Sequence, residues 1–516
     1  MKFSPLFSAD AYSISSNVFA SNECKDFSCY NLTARKSPAD SFPELAKDSR
    51  MIFYGISQAL HSIFRKVTQE DLNSFTEFMK RAHSFGGALP FNTDMWQWII
   101  DHNNGYIPVQ VSSIPEGTTI FPNEPMIHVL NTEKGFGELC AHIEARLVGT
   151  VAIGTACATL CRHWLDRICD EVKKDNLLLG YPTDKETLYK NAQFQIHNFG
   201  SRACSSEEES VLTGLSHLLS FHGTDNFDAA YNCWLMGAKD PKATSIVALA
   251  HRNVNGHNTE VDAFHSIVDS TNGDKVRIVS LVADCYNYDN AVDSITNMAY
   301  HNSDVIHVIR PDSGDCFDTI YKIYQACNDR GLYKEVNGYK VPSNVRFIYG
   351  DSVKPKKQFD VMQQLRDKGM LPTQWGIWGV GGYIRNIPNR DSLSFAYKLC
   401  VKGLNNEPVV KLSETKGKLS IPYVTHLVRD FTETQITVHR IDDCVCISPK
   451  GHLVKQNYYL DGDLSYEPFD KVQSRAIKSF DDLKDWATVN PTFGLNRENL
   501  QDNIVRFQDS FYERFQ

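Results

Sequence analysis

The stretch VIHVIRPDSG, residues 305–314, sets a run of apolar, β-branched residues against a polar turn closed by glycine. A continuous apolar run of this length fits a strand buried on both faces, as in a parallel sheet, with the polar cluster marking its C-terminal end. The same layout recurs on both sides of it. Before it come QIHNFGSR (195–202), LLSFHGTD (218–225), SIVALAH (245–251) and VSLVADCY (279–286); after it come VRFIYGDS (345–352) and WGIWGVGG (375–382). With Phe199, Asp225, His251, Asp284, Asp312, Asp351 and Gly379 as markers, the intervals are 26, 26, 33, 28, 39 and 28 residues. Each interval leaves room for a helix, so the stretch predicts successive βα units. In a (β/α) barrel the C-terminal strand ends share one face and carry the chemistry, so seven polar strand ends would converge there. A doubly wound open sheet gives a similar rhythm and stays open at this point.

Outside these runs the text changes. Residues up to about 185 mix helical stretches, such as Met51 to Lys66 and Glu144 to Val172, with extended segments at Ile107 to Val111 and Pro125 to Leu130. After Arg390 the rhythm stops, and Pro408 to Leu412, Lys418 to Tyr423 and Gln435 to Ile447 read as antiparallel strands. The expected organisation is an α/β chain: a (β/α) barrel-like domain at 189–392, and a composite α+β domain built from 1–188 and 393–516.

Composition narrows the class. The 516 residues are 42% hydrophobic and 22% charged, with 30 Gly and 20 Pro, which fits a soluble globular protein and excludes fibrous or disordered chains. A net charge of −9 argues against general nucleic-acid affinity, though it allows a local cationic pocket. The 14 cysteines form no CxxC pair, and the start MKFSPLFSADAYS lacks the apolar core of a signal peptide, so reduced thiols in the cytoplasm are expected. Cys157 with Cys161, and Cys444 with Cys446, lack the second pair a zinc site requires and read as packing. The apolar stretch Leu147 to Leu160 is shorter than the ~20 residues that span a bilayer, so it reads as a core helix and no membrane partner is expected.

The strand ends carry the candidate chemistry. WGVGGYIRN holds glycines 379, 381 and 382 after an apolar run; such a turn lets backbone N–H groups approach a phosphate, and it also serves as a plain tight turn. Asp284, Asp312 and Asp351 each end a strand; gathered at a pocket, carboxylates can hold Mg²⁺ through water, accept from ribose hydroxyls or stabilise a developing cation. Arg310 adds a planar charge suited to a carboxamide, carboxylate or phosphate. His251 ends its strand where an imidazole can act as nucleophile or base, with His257 competing for the role. Phe199 and Asp225 offer an aromatic face and an acceptor, together able to hold a flat amide-bearing ring.

Taken in order, HNFGSR, FHGTD, SIVALAH, VADCY, IRPDSG, YGDS and GVGG resemble the nicotinamide phosphoribosyltransferases, of the type II phosphoribosyltransferase family. The resemblance runs from Asp10 to the Lys418 region. It implies condensation of nicotinamide with 5-phosphoribosyl 1-pyrophosphate (PRPP) to nicotinamide mononucleotide and pyrophosphate in NAD salvage. Mg²⁺ assists, and ATP is an optional coupled substrate hydrolysed through a phosphohistidine, which His251 matches. Carried over, Phe199 stacks on the pyridine ring, Asp225 accepts from the amide NH₂ and Arg310 donates to the amide oxygen. Asp284, Asp312 and Asp351, with Gly350 beside the last, match positions around ribose, PRPP and metal, Asp284 and Asp312 being the metal candidates. Arg202, Gly381, Gly382 and Arg390 match phosphate-handling positions, and Arg35, Lys398, Lys411 and Lys416 fall where cations surround pyrophosphate. The resemblance also implies a homodimer with its site at the interface, where Asp10 and Tyr12 of a partner complete an aromatic sandwich with Phe199. The chain departs from the pattern at Ala250, where a glutamate usually precedes the histidine, at Ser13 and at Ser352. Alternatives are a nicotinate phosphoribosyltransferase, a sugar-phosphate barrel enzyme, and a non-catalytic binding protein on the same scaffold.

Overall fold

The computed structural model describes residues 3–238, 243–386, 388–411, 420–430, 435–440, 452–453 and 456–515. The chain forms two compact units, Leu160–Ile387 and Met1–Thr159 with Pro388–Gln516.

The first unit is built on seven parallel strands: β1 (Ile196–Asn198), β2 (Gly223–Thr224), β3 (Val247–Ala248), β4 (Arg277–Val282), β5 (Val305–Arg310), β6 (Val345–Tyr349) and β7 (Gly376–Val380). Their order in the sheet is β2-β1-β7-β6-β5-β4-β3. Thr244, just before β3, forms a parallel bridge to Gly223 of β2, so the two outer strands also meet. Spatial order is therefore chain order around a ring, and the strand-order reversal of a doubly wound sheet is absent from it. The α/β, barrel-like architecture expected from VIHVIRPDSG and its neighbours is what the structure shows.

The local signals explain the turns. Asn287, Asp315 and Ser206 accept backbone N–H bonds from residues three further on, starting the helices Tyr288–His301, Cys316–Asp329 and Glu207–Leu218 soon after their strands. The long interval between Asp312 and Asp351 accommodates an antiparallel hairpin, Tyr333–Val336 with Tyr339–Pro342, after the helix.

The units divide at Thr159/Leu160 and Ile387/Pro388, where the sequence reading drew the lines at 188/189 and 392/393. Side chains on the second half of the helix Glu144–Leu179 account for the difference. Trp164 Nε1 donates to Gln358 Oε1 at 2.8 Å, Arg366 pairs with Glu171 and with Asp175 (2.6 Å), and Asp175 also accepts from the Thr373 backbone and hydroxyl. By length and composition this helix could cross a membrane, yet 67% of its most apolar window is buried inside the fold, as in a core helix.

The other unit joins both ends of the chain in one antiparallel sheet, ordered 407–408, 396–402, 28–33, 125–131, 109–113, 456–460 and 463–464. Phe121, Ile421, Leu483, Leu495, Leu500 and Ile504 form a core cluster here, again combining both ends. Some sequence boundaries shift. Met51–Ile52 is a strand and its helix is Ile56–Ile63; the strand expected at Pro408 covers Glu407–Pro408; Ser420 to Tyr423 is not strand, and Gln435–Arg440 pairs with Thr425–Asp430. Cys157 and Cys161 are buried without a disulfide, as the packing reading expects; Cys444, Cys446 and residues 441–447 lie outside the described residues.

Candidate active site

Two hollows open among the strand ends of the barrel unit. One, of about 380 Å³, runs into the ring and is mostly apolar, with His197, Phe199, Asp225, Ser245, Ser280 and Arg310 among its walls. The other, of about 420 Å³, is lined by Phe199, Arg202, Ala203, Asp312, Gly350, Asp351, Ser352, Gly381 and Gly382. Phe199 belongs to both. An apolar compartment thus adjoins a polar one rich in glycine backbone.

Phe199 is seated from behind. A Cβ at Gly379 of β7 would stand 2.8 Å from its Cε2, so glycine there makes room for the ring. Its other neighbour is the His197 ring, 4.7 Å away between centroids.

Asp225 follows β2. Its Oδ1 is 2.9 Å from His197 Nε2 and accepts from Ser245 Oγ at 2.5 Å. Burial pushes the carboxyl pKa up, but the hydrogen bonds from His197 and Ser245, with the charges of His197 and Arg310, outweigh it and hold the group below its ordinary value. It is therefore an ionised acceptor. Arg310, at the end of β5, is largely covered, lies 3.9 Å from Asp312, and has a buried Nε without a hydrogen-bond partner. Such an orphan donor suits a ligand oxygen.

His251 and Asp284 line neither hollow. His251 Nε2 is 3.1 Å from Asp284 Oδ1, while Ser313 Oγ donates to Asp284 Oδ2 at 2.6 Å. Both Asp284 oxygens are thus engaged, and no cluster of three or more His, Cys, Asp or Glu side chains is placed to hold a metal among the described residues. Asp312 and Asp351 remain at the polar hollow as hard oxygen donors, which fits an ion carried mainly by substrate phosphates and water. Ser352, where the resemblance expects glycine, has φ +50°, a left-handed conformation that favours glycine.

The structure brings together Phe199, Asp225 and Arg310 in one hollow, and Arg202, Asp312, Gly350, Asp351, Gly381 and Gly382 in the other. Asp10, Tyr12, Arg35, Arg390, Lys398 and Lys411 belong to the other compact unit. There Tyr12 is 72% exposed, Arg390 pairs with Asp391 at 2.7 Å, and Arg35 donates to the Ser394 carbonyl at 3.2 Å. Burial, followed by the charge of Arg390, lowers the Arg35 pKa. Lys416 lies outside the described residues. The two residues that hold the Asp225 carboxylate, His197 and Ser245, are not among the candidates the sequence offers. Strand alternation gives a signal for the first, since residues two apart share a face and His197 stands two before Phe199. Ser245 meets Asp225 only because β3 comes round to β2.

Comparison with known proteins places this geometry. Residues 194–435 match the nicotinate phosphoribosyltransferase (NAPRTase) family. A protein named nicotinamide phosphoribosyltransferase from Xanthomonas campestris pv. campestris (strain 8004) is 26% identical over 361 residues, covering 67% of this chain and 72% of that one. One of the same name from Acinetobacter baylyi (strain ATCC 33305 / BD413 / ADP1) is 27% identical over 326 residues, 58% of this chain and 62% of its own. Human nicotinic acid phosphoribosyltransferase aligns with TM-score 0.57 at 13% identity, over 92% of this chain and 94% of its own. The nicotinate-nucleotide pyrophosphorylase of Pyrococcus furiosus gives 0.55 at 13%, over 93% and 96%. At that identity these two show a common fold. The segment 194–435, which carries all seven strand ends and both hollows, is where the chain matches the NAPRTase family model, and there it is similar to phosphoribosyltransferases.

Proposed function

We propose that the chain is a nicotinamide phosphoribosyltransferase, converting nicotinamide and PRPP into nicotinamide mononucleotide and pyrophosphate in NAD salvage. The observation that carries this reading is the ionised Asp225 beside Phe199 and Arg310. A carboxylate is an acceptor only: it matches the NH₂ of an amide and repels the carboxylate of nicotinate. Arg310, through its unpartnered Nε, supplies the donor for the amide oxygen. Nicotinate is the second reading, favoured by that same arginine and opposed by Asp225.

The pyridine nitrogen is already a nucleophile, so no strong general base is required. The chain's task is alignment. Phe199 holds the ring flat, Asp225 and Arg310 fix its rotation, and the nitrogen is left pointing at ribose C1, where the bond to pyrophosphate loosens through an oxocarbenium-like state. Arg202 and the backbone of Gly350, Gly381 and Gly382 receive phosphate groups, and Asp312 and Asp351 face the ribose. Mg²⁺ would be held by Asp312 and Asp351 together with the substrate, and supplies charge neutralisation on the departing pyrophosphate. With His251 Nε2 engaged by Asp284, Nδ1 is the nitrogen left to take a phosphoryl group from ATP.

A homodimer is part of the same reading. Its support is the exposed Tyr12 and an exposed apolar stripe, Phe227, Tyr231, Trp234 and Leu235, on the helix that follows Asp225. On the resemblance, Asp10 and Tyr12 of the partner would close the ring's open face. A cytoplasmic site of action completes the proposal.

The test is incubation of the protein with PRPP, Mg²⁺ and nicotinamide, with and without ATP, following nicotinamide mononucleotide, pyrophosphate and phosphorylation of His251. Both products should form in equal amounts and stop on chelation of Mg²⁺. Absence of pyrophosphate release with every pyridine offered would refute transferase activity. A second expected result concerns the ring's seat: Gly379→Ala places a methyl against Phe199 and should raise the KM for nicotinamide about 10-fold, the worth of one well-placed aromatic contact. Steady-state kinetics with the PRPP KM as internal control checks it.

A further inference from the structure

His197 lies behind both elements that would recognise the pyridine. It is 7% exposed and lines the apolar hollow. Its Nε2 is 2.9 Å from Asp225 Oδ1, and its ring rests against Phe199 at 4.7 Å, tilted by 38°. Asp225 Oδ1 also receives the Ser245 hydroxyl, while no hydrogen bond to Oδ2 is present among the described residues. One oxygen of the carboxylate is thus tied down twice by the protein, and the other is left for a ligand. The space for the imidazole is provided by Gly223 of β2: a Cβ there would stand 2.7 Å from His197 Nδ1 and 3.3 Å from its Cγ.

We propose that His197 is the positioning residue for pyridine recognition, fixing the Asp225 carboxylate through Oδ1 and backing the Phe199 ring, so that Oδ2 alone meets the substrate amide. This rests on the nicotinamide reading above. A carboxylate on a strand end can rotate about its side-chain bonds, and a change of rotamer would carry the acceptor oxygen away from its present place. Donors from His197 and Ser245 remove that freedom before substrate arrives, so binding need not order the group. They also favour the ionised form, which is the form that selects amide over acid. His197 touches no reacting atom in this scheme; it acts through Asp225 and Phe199.

Three full-length variants test it: His197→Leu, which fills the space without a donor; His197→Gln, which keeps a donor; and Gly223→Ala, which keeps the imidazole but displaces it. KM and kcat are measured for nicotinamide and nicotinate at saturating PRPP and Mg²⁺, with the PRPP KM and the thermal midpoint alongside. For His197→Leu the nicotinamide KM should rise about 10- to 100-fold, the value of a hydrogen bond to a charged group, with kcat and PRPP KM within about twofold. The amide-over-acid ratio should fall in step. Gly223→Ala should move the same two quantities in the same direction, and His197→Gln should restore them to within about threefold of wild type. An unchanged nicotinamide KM and ratio in His197→Leu would overturn the proposal. So would equal losses for both pyridines and PRPP, which mark a scaffold residue, or a folded His197→Gln that fails to rescue. A wild-type enzyme that prefers nicotinate overturns the underlying reading itself, and is seen before any substitution is made.

Discussion

Asp225→Ala should lower kcat/KM for nicotinamide by about 100-fold and abolish the preference for amide over acid. The size follows from what is lost. A hydrogen bond to a charged acceptor contributes about 1.5–3 kcal/mol, and its removal also leaves the donors His197 Nε2 and Ser245 Oγ facing a void. The direction of the selectivity change follows from charge: with Asp225 gone, Arg310 is the dominant charge near the ring and attracts a carboxylate. Nicotinate should therefore lose less than nicotinamide, or gain. Asp225→Asn separates shape from charge, since it keeps the side-chain volume and one acceptor oxygen while removing the repulsion. Parallel kinetics with the two pyridines checks both. An Asp225→Ala enzyme that retains wild-type selectivity would contradict the assignment of this carboxylate.

Arg366→Ala should destabilise the barrel unit by about 3–5 kcal/mol, the usual result of removing one partner from a buried ionic cluster. Arg366 bridges Glu171 and Asp175, whose side chains are 5% and 0% exposed. Its loss leaves two carboxylates together in a buried site, with the Thr373 N–H and hydroxyl as the remaining partners of Asp175. In differential scanning calorimetry the transition should move down by roughly 10 °C for a unit of this size. Replacing Lys356, whose bridge to Asp360 is exposed, should shift it by well under 1 kcal/mol. A shift for Arg366→Ala as small as that control would show that the second half of the helix Glu144–Leu179 does not depend on this cluster for its place in the barrel unit.

These two residues illustrate what the sequence reveals and what it hides. The seven strands were legible because a buried parallel strand is written as an apolar run closed by a polar turn, and IRPDSG, VADCY and YGDS each carry that signature within eight residues. Their common polar end follows from parallelism, so Phe199, Asp225 and Arg310 could be placed in one pocket without coordinates. The domain boundary was less legible. The helix from Glu144 onward is apolar almost throughout, and periodicity does not say that its second half belongs with Gln358, Arg366 and Thr373, some 190 residues away. Ring closure was hidden for a similar reason: Thr244 meets Gly223 only after the strands between have curled. With it was hidden the contact of Ser245 with Asp225. His197 is less legible because it lies within the strand Ile196–Asn198, two places before Phe199 on the same face, and not in the polar turn that follows. The roles of Asp10 and Tyr12 came from resemblance alone, since nothing in their local sequence points to a ligand.

The central claim is that an ionised Asp225 makes this transferase select the amide. Its most direct test is a competition: wild-type protein, PRPP and Mg²⁺ with equal concentrations of nicotinamide and nicotinate, the two mononucleotide products resolved by mass. The account predicts nicotinamide mononucleotide in excess by at least about 100-fold, the discrimination expected when one substrate gains a charge-assisted hydrogen bond where the other meets like charge. Nicotinate mononucleotide as the major product would contradict it.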